Sequence, residues 1–188
     1  MNFSRPLILA SSSPRRQFLM KEAGYTFQVQ SPDIDESFPA ELAITAVPKF
    51  LAEKKARVFT KSITSEIVIS SDTVVILKDE ILNKPLNRKE AIEMLGKLSG
   101  QTHTVITAVC LFSKDKIDCF DDHTEVTFKK LTQQEIEFYV DTYQPYDKAG
   151  AYGAQDWIGL VAIEKIHGSY FTVMGMPMHL VYKHLKNF

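Results

Sequence analysis

The sequence contains no apolar run approaching the roughly 18 consecutive residues that a bilayer-spanning helix needs. Its opening, "MNFSRPLILASSS", has too short an apolar stretch for a secretory signal, so a cytoplasmic protein is expected. Charge of either sign is not in excess: the formal net charge is -1 and the pI about 6.5. A whole-surface attraction to a nucleic acid polymer or an anionic membrane is thereby excluded, and any anion binding must be focused in a local pocket. Cysteine is scarce. Cys110 and Cys119 lie in two predicted strands around "SKDK", where a hairpin would make them cross-strand neighbours, and in a reducing compartment they are expected as free thiols. The five histidines, at 103, 123, 167, 179 and 184, have no metal-ligand spacing, which argues against zinc. There is no internal repeat, low-complexity segment or linker rich enough to mark a boundary. At 188 residues and 45% hydrophobic, the chain suits one domain over 1–188, with two lobes compatible with its length.

What is present alternates between the two periodicities. Leu7 to Ala10 reads as a short buried strand, followed by a helix from about Pro14 to Ala23 with Ser13 at its N-cap, Pro14 at its first position and Gly24 as its stop. "YTFQVQ" reads as a strand and "SPDIDESFPAE" as an exposed loop. A helix from about Pro48 to Lys61 should divide Phe50, Leu51, Lys54, Lys55 and Val58 between an apolar and a basic face. "EIVISSDTVVILKDEILNK" is a buried strand emerging at Ser71 and Asp72, then a hairpin near Lys78 to Glu80. "RKEAIEMLGKLSG" is an amphipathic helix, and "HTVITAVCLFSKDKIDCFDDHTEVTFKKL" a long antiparallel pair. Thr132 and Glu135 have capping-box spacing. "QPYDKAGAYGAQDWIG" reads as a loop, "LVAIEKIHGSYFTVMG" as a hairpin turning at His167 and Gly168, and Pro177 opens a terminal helix. The fold class is mixed α/β, and the apparent hairpins disfavour a largely parallel sheet.

One stretch stands out chemically. Only five arginines occur, and Arg15 and Arg16 are adjacent in "LASSSPRR", where a strand runs through a serine-rich turn into a helix N-terminus. Free N–H groups and the helix dipole favour an anion there, whereas positive side chains in the first turn oppose the dipole. With the hydroxyls of Ser11 and Ser13 close by, a phosphate site accounts for that arrangement. A capped helix with solvent-facing arginines is the plainer alternative. The stretch is not a Walker A loop, since it lacks the glycines and the "GK[ST]" ending.

Asp72 ends the apolar run "IVISSD" and is placed to bind Mg²⁺ or take a proton from water, although a strand-end aspartate need do neither. Asp33, Asp35 and Glu36 form an acidic loop of hard oxygen donors, which could equally be solvated. Lys54, Lys55, Lys84 and Lys148 would make a phosphate clamp only by converging in space. These features together point to a metal-assisted enzyme acting on a phosphorylated small molecule.

"LASSSPRR" resembles the opening signature of the Maf family of nucleoside triphosphate pyrophosphatases. The resemblance continues, in family order, through "DIDE", "LAEKKA", "SDTVV", "NKP", "LSGQTHTVITAV", "YDKAGAYGAQ" and "GSYFTVMGMPM". It implies a mixed sheet with flanking helices, two lobes around a cleft, similar to inosine triphosphate pyrophosphatases. It also implies a cytoplasmic homodimer that hydrolyses a nucleoside triphosphate to the monophosphate and pyrophosphate with Mg²⁺ or Mn²⁺. Carried over by motif, Ser11, Ser13, Arg15, Arg16 and Lys55 would bind the triphosphate, and Lys84 would contact phosphate at the reacting centre. Glu36 and Asp72 would hold the metal, with Asp72 also matching the proton acceptor. "KAGAYGxQ" is similar to the dTTP/UTP pyrophosphatase type, in which Arg15, Thr73 and Gln155 match the positions linked to base preference. The 7-methyl-GTP type carries cysteine for Lys148 and glutamate for Gln155; a nucleotide-binding regulator of septum formation is the non-enzymatic alternative. Ser12 stands where relatives often have glycine, which bears only on loop geometry.

Overall fold

The computed structural model describes residues 5–188. Its first strand, β1 (Leu7–Ala10), is buried along its whole length because it has parallel neighbours on both sides, β2 (Gln28–Val29) and β3 (Ile67–Leu77). The connection out of β1 is α1 (Pro14–Glu22), entered through Pro14 at its first turn and closed at Ala23, with Gly24 following at φ +79°. Ser13 occupies the N-cap, but its hydroxyl makes no capping bond. The predicted helix over 48–61 is α2 (Val47–Arg57) flanked by 3-10 turns at 44–46 and 58–61.

Strand β3 turns through Lys78 (φ +56°) into β4 (Glu80–Leu82), its antiparallel partner. Helix α3 (Arg88–Leu98) begins at Asn87, whose side chain accepts the Glu90 N–H. The long pair is β5 (Thr102–Phe112) and β6 (Ile117–Phe128), with the turn closed by the Ser113 N–H on the Lys116 carbonyl at 2.8 Å. Then α4 (Gln133–Tyr143) carries the anticipated capping box, Thr132 and Glu135 bonding reciprocally. The remaining elements are α5 (Trp157–Ala162), β7 (Ile163–His167), α6 (Tyr170–Val173) and α7 (Met178–Lys186). Among the described residues the strands run β2-β1-β3-β5-β6-β7, with β4 on β3, in a mixed sheet of parallel and antiparallel pairs flanked by helices.

The chain divides into two compact units, each with its own core. One takes the segments up to Asp72, Thr107–Asp122 and Gly175–Phe188. In it Ile8, Ala52, Ala56, Val68 and Ala108 pack together. The other takes Thr73–Ile106 and His123–Met174, around Leu95, Leu98, Phe128, Tyr139 and Ile158. Full burial of each such large side chain contributes about 1.5–3 kcal/mol.

Several expectations are corrected. Cys110 and Cys119 are cross-strand neighbours as the hairpin implied, but they are joined as a disulfide rather than free, with Cα atoms 4.1 Å apart. The segment 144–159 is not loop throughout: it contains a 3-10 turn at 149–151 and the start of α5. No hairpin follows β7, which pairs antiparallel with β6 while the next residues form α6. The reason is a tertiary contact: Thr124 Oγ1 accepts the Ser169 N–H at 2.9 Å and donates to the Ser169 carbonyl, pinning the chain at the helix entrance. Among the described residues no helix is long and apolar enough to cross a membrane.

Candidate active site

The first unit gathers much of the predicted chemistry around Asp72, which is not the emerging strand end expected from the sequence but lies buried near the middle of β3, because the strand continues to Leu77. Lys55 lies on the buried face of α2 beside Leu51, Ala52 and Ala56, not on a solvated basic face, and it is Val58 that is half exposed. A lysine in an apolar stripe must find a counter-charge. Its Nζ is 2.6 Å from Asp72 Oδ1 and 2.7 Å from Glu36 Oε1. The alignment is set one turn earlier, where the buried Ser70 hydroxyl of β3 donates to the Ala52 carbonyl at 2.6 Å and fixes α2 against the strand.

Glu36 reaches this point because its loop is shaped for it. Asp35 accepts from the backbone N–H and the hydroxyl of Ser37, forming a local turn that holds its carboxyl below the usual range. Lys54 donates to the Ser37 carbonyl at 3.0 Å. Lys54 and Asp35 therefore position the loop, and Glu36, between them in effect, meets Lys55. Asp33 is exposed.

The second feature is the anion-like entrance after β1. Arg16 is turned inward: Nη1 donates to the Ser71 carbonyl at 2.7 Å and to Ser11 Oγ at 3.3 Å, and Nε donates to the Gly175 carbonyl at 2.9 Å. The same Gly175 carbonyl accepts the Ser71 hydroxyl at 3.1 Å. Ser11 Oγ also accepts the Ser13 N–H at 3.3 Å. Arg16 thus ties α1, β3 and the segment before α7 together, a structural duty the sequence did not announce. Ser71 and Gly175 complete this network and were missed as partners; the only signals were a second serine before Asp72 and a glycine after an apolar run.

Electrostatics couple the two features. Burial raises the Asp72 pKa, opposed by Lys55 and Arg16, with Glu36 adding to the rise. Burial lowers the Arg16 pKa, Asp72 opposes that, and the neighbouring Arg15 charge adds to it. Arg15 and Arg16 are thus close enough to repel, a tension that an anion bound there would relieve.

Glu36 and Asp72 direct two hard oxygens at one point, where the Lys55 ammonium now lies. Two carboxylates are hard oxygen donors of the kind that suits a Mg²⁺-like cation. Among the described residues no group of three or more His, Cys, Asp and Glu could hold a metal by itself.

The other predicted residues belong to the second unit. Thr73 follows Asp72 on β3 and is partly buried, and Lys84 is exposed in the segment after β4. Gln155 ends a tightly shaped loop. Gly150 (φ +68°) and Ala151 (φ +59°) are consecutive left-handed residues, and a Cβ at Gly150 would lie 3.0 Å from Val75. The Gly150 N–H donates to the Asn83 carbonyl at 3.2 Å. Tyr152 in this loop is buried, with its hydroxyl 2.8 Å from His103 Nε2 of β5.

Together these features define a mixed α/β protein with a buried lysine–carboxylate centre beside an arginine-bearing strand–turn–helix entrance. The family model described as Maf-like protein matches residues 6–188, and the chain belongs to that family. A dTTP/UTP pyrophosphatase of Bacteroides fragilis is 47% identical over 182 residues, covering 96% of this chain and 94% of the relative. One of Flavobacterium psychrophilum is 46% identical, covering 96% and 93%. A HAM1 protein of known structure from Coxiella burnetii is 16% identical with a TM-score of 0.47, over 66% of this chain and 73% of that one.

Proposed function

We propose that this protein hydrolyses nucleoside triphosphates, with dTTP and UTP preferred, to the monophosphate and pyrophosphate. The observation that carries the reading is the Lys55 ammonium buried between Asp72 and Glu36 in a chain so closely related to dTTP/UTP pyrophosphatases. Arg15, the Ser11 and Ser13 segment and the α1 N-terminus receive phosphate oxygens, with Arg16 supplying partly buried positive charge behind them. Asp72 orients water for in-line attack on the α-phosphorus and accepts its proton; the bond to the bridging oxygen breaks and pyrophosphate leaves. Lys55 and Lys84 offset the charge that develops on the leaving group.

Glu36 and Asp72 would hold a divalent cation, Mg²⁺ or Mn²⁺, which when bound supplies Lewis-acid stabilisation of phosphate charge. Thr73 and Gln155 serve base selection: a glutamine amide carries both a donor and an acceptor and so matches the N3–H and carbonyl edge of uracil or thymine. A homodimer in the cytoplasm belongs to the same proposal.

The test is pyrophosphate release from dTTP, UTP, CTP, GTP, ITP and 7-methyl-GTP, with and without Mg²⁺ or Mn²⁺. Metal-dependent release, fastest from dTTP and UTP, is expected. Turnover confined to 7-methyl-GTP would overturn the base assignment, and binding without turnover of any nucleotide would overturn the enzyme.

A further inference from the structure

Asp156 follows Gln155 at the N-cap of α5, where an aspartate ordinarily turns its carboxylate back onto the helix N–H groups. Here it makes no such bond. Its Oδ1 instead accepts from Gln155 Nε2 at 2.9 Å, and its Oδ2 accepts from the Tyr139 hydroxyl at 2.8 Å with Lys148 Nζ at 3.8 Å. Tyr139 is fully buried on α4, and its hydroxyl also accepts the Gly153 N–H at 3.1 Å. Asp156 is therefore held from behind by a rigid core residue, and Gln155 is held by Asp156.

Gly153 reports the same arrangement independently. A Cβ there would lie 2.5 Å from Asp156 Oδ2 and 2.6 Å from Gln155 Nε2. Both side chains fold back over this residue, and only glycine leaves them the space.

We infer that Asp156 is a specificity-positioning residue, locking the Gln155 amide in one orientation so that uridine and thymidine nucleotides are accepted and cytidine nucleotides rejected. This rests on the proposal that Gln155 reads the base. A carboxylate only accepts hydrogen bonds, so the amide must turn its NH₂ toward Asp156, and the reverse orientation would set two acceptor oxygens against each other. The Gln155 carbonyl oxygen and the other N–H then remain for the substrate. Uracil and thymine offer an N3–H donor beside an O4 acceptor; cytosine offers an N3 acceptor beside an N4 donor. The two patterns are opposite at the same two positions, so an amide free to flip serves both and a locked one serves only the first.

The test is kcat/KM for UTP and for CTP, measured on the full-length protein with Mg²⁺, alongside thermal unfolding of each variant. Asp156→Asn can present either a donor or an acceptor to Gln155 and so permits the flip. It is expected to lower the UTP:CTP ratio about 10-fold, chiefly through a gain on CTP. Tyr139→Phe, which removes one hydroxyl from the tether, should shift the ratio in the same direction by less, and it carries the test if Asp156→Asn fails to fold. A parallel loss on both nucleotides with the ratio kept would show a merely structural role and overturn the inference. Gln155→Ala separates the two levels. If it collapses the ratio while the Asp156 and Tyr139 variants do not, Gln155 still reads the base and Asp156 does not lock it. If it leaves the ratio intact, the base-reading proposal fails, and the present inference with it.

Discussion

Lys55 Nζ lies 2.6 Å from Asp72 Oδ1, a lysine on the apolar face of α2 meeting an aspartate near the middle of β3, with both side chains only 11% exposed. Glu36 adds a second carboxylate at 2.7 Å from a more exposed position, so one ammonium is shared between two acids. A pair this buried is costly to desolvate and costlier to break.

Replacing Lys55 with methionine therefore strands the Asp72 carboxylate without its principal counter-charge. The expected loss of stability is about 3–5 kcal/mol, read as a lower urea midpoint, together with a large fall in pyrophosphate release. A surface-like loss of under about 1 kcal/mol would mean that the pair is solvated in solution.

Asp72 itself makes a signed prediction about pH. Burial raises its folded-state pKa above the ordinary 3.8, so in the window from 3.8 up to the raised value the folded state holds more protons than the unfolded one. Stability from this group is present below that window and declines as pH rises through it. Under the proposed mechanism catalysis has the opposite sense, because only the carboxylate could take the water's proton. The acid limb of kcat/KM should lie above 3.8 and move upward in a Lys55→Met protein, since Lys55 opposes the rise. Asp72→Asn should nearly abolish kcat while nucleotide affinity is largely kept; unchanged turnover would remove Asp72 from the chemistry.

His103 predicts an acid sensitivity of the second unit. Its ring is 2% exposed, packs edge-on against Phe128 and Tyr152, and leaves Nδ1 buried without a partner, so burial lowers its pKa from 6.5 to about 4. The unfolded chain takes up a proton first as pH falls, and stability is lost from 6.5 downward toward 4. At about 1.4 kcal/mol per unit, the loss by pH 4.5 is about 2–3 kcal/mol. His103→Gln, which can still bond Tyr152, should flatten this dependence in urea titrations at pH 7 and 4.5; an unaltered slope would assign the sensitivity to other groups.

The capping box of α4 provides a local control. Thr132 accepts the Glu135 N–H at 3.2 Å and Glu135 accepts the Thr132 N–H at 2.8 Å. Thr132→Ala should cost about 1 kcal/mol in unfolding free energy with the UTP:CTP ratio unaffected. A shift in that ratio would mean that α4 acts on selectivity by a route other than Tyr139.

Much of the fold was legible because it depends on neighbours in the chain. Periodicity located β1, α3, the long β5–β6 pair and the α4 cap, and the clustered serines and arginines marked the entrance after β1. Where local pattern was ambiguous, tertiary contacts decided. "YFTV" has the composition of a strand, yet Thr124 fixes Ser169 and the chain continues as α6. Lys55 looked like one basic residue among several on a helix, yet packing put it on the buried face, where Asp72 and Glu36 satisfy it.

The sequence by itself determined the family, the mixed α/β class and which residue types stand in each motif, since those follow from order and spacing along the chain. Only the tertiary structure decided that Arg16 is spent on the carbonyls of Ser71 and Gly175, that the Lys55 charge is shared between two acids, and that Asp156 turns from its helix to grip Gln155. Arg16 and Ser71 are 55 positions apart, and Arg16 and Gly175 are 159 apart. The direction of a hydrogen bond depends on what else is buried beside it, and that is settled when distant segments pack, not by the residues on either side in the chain.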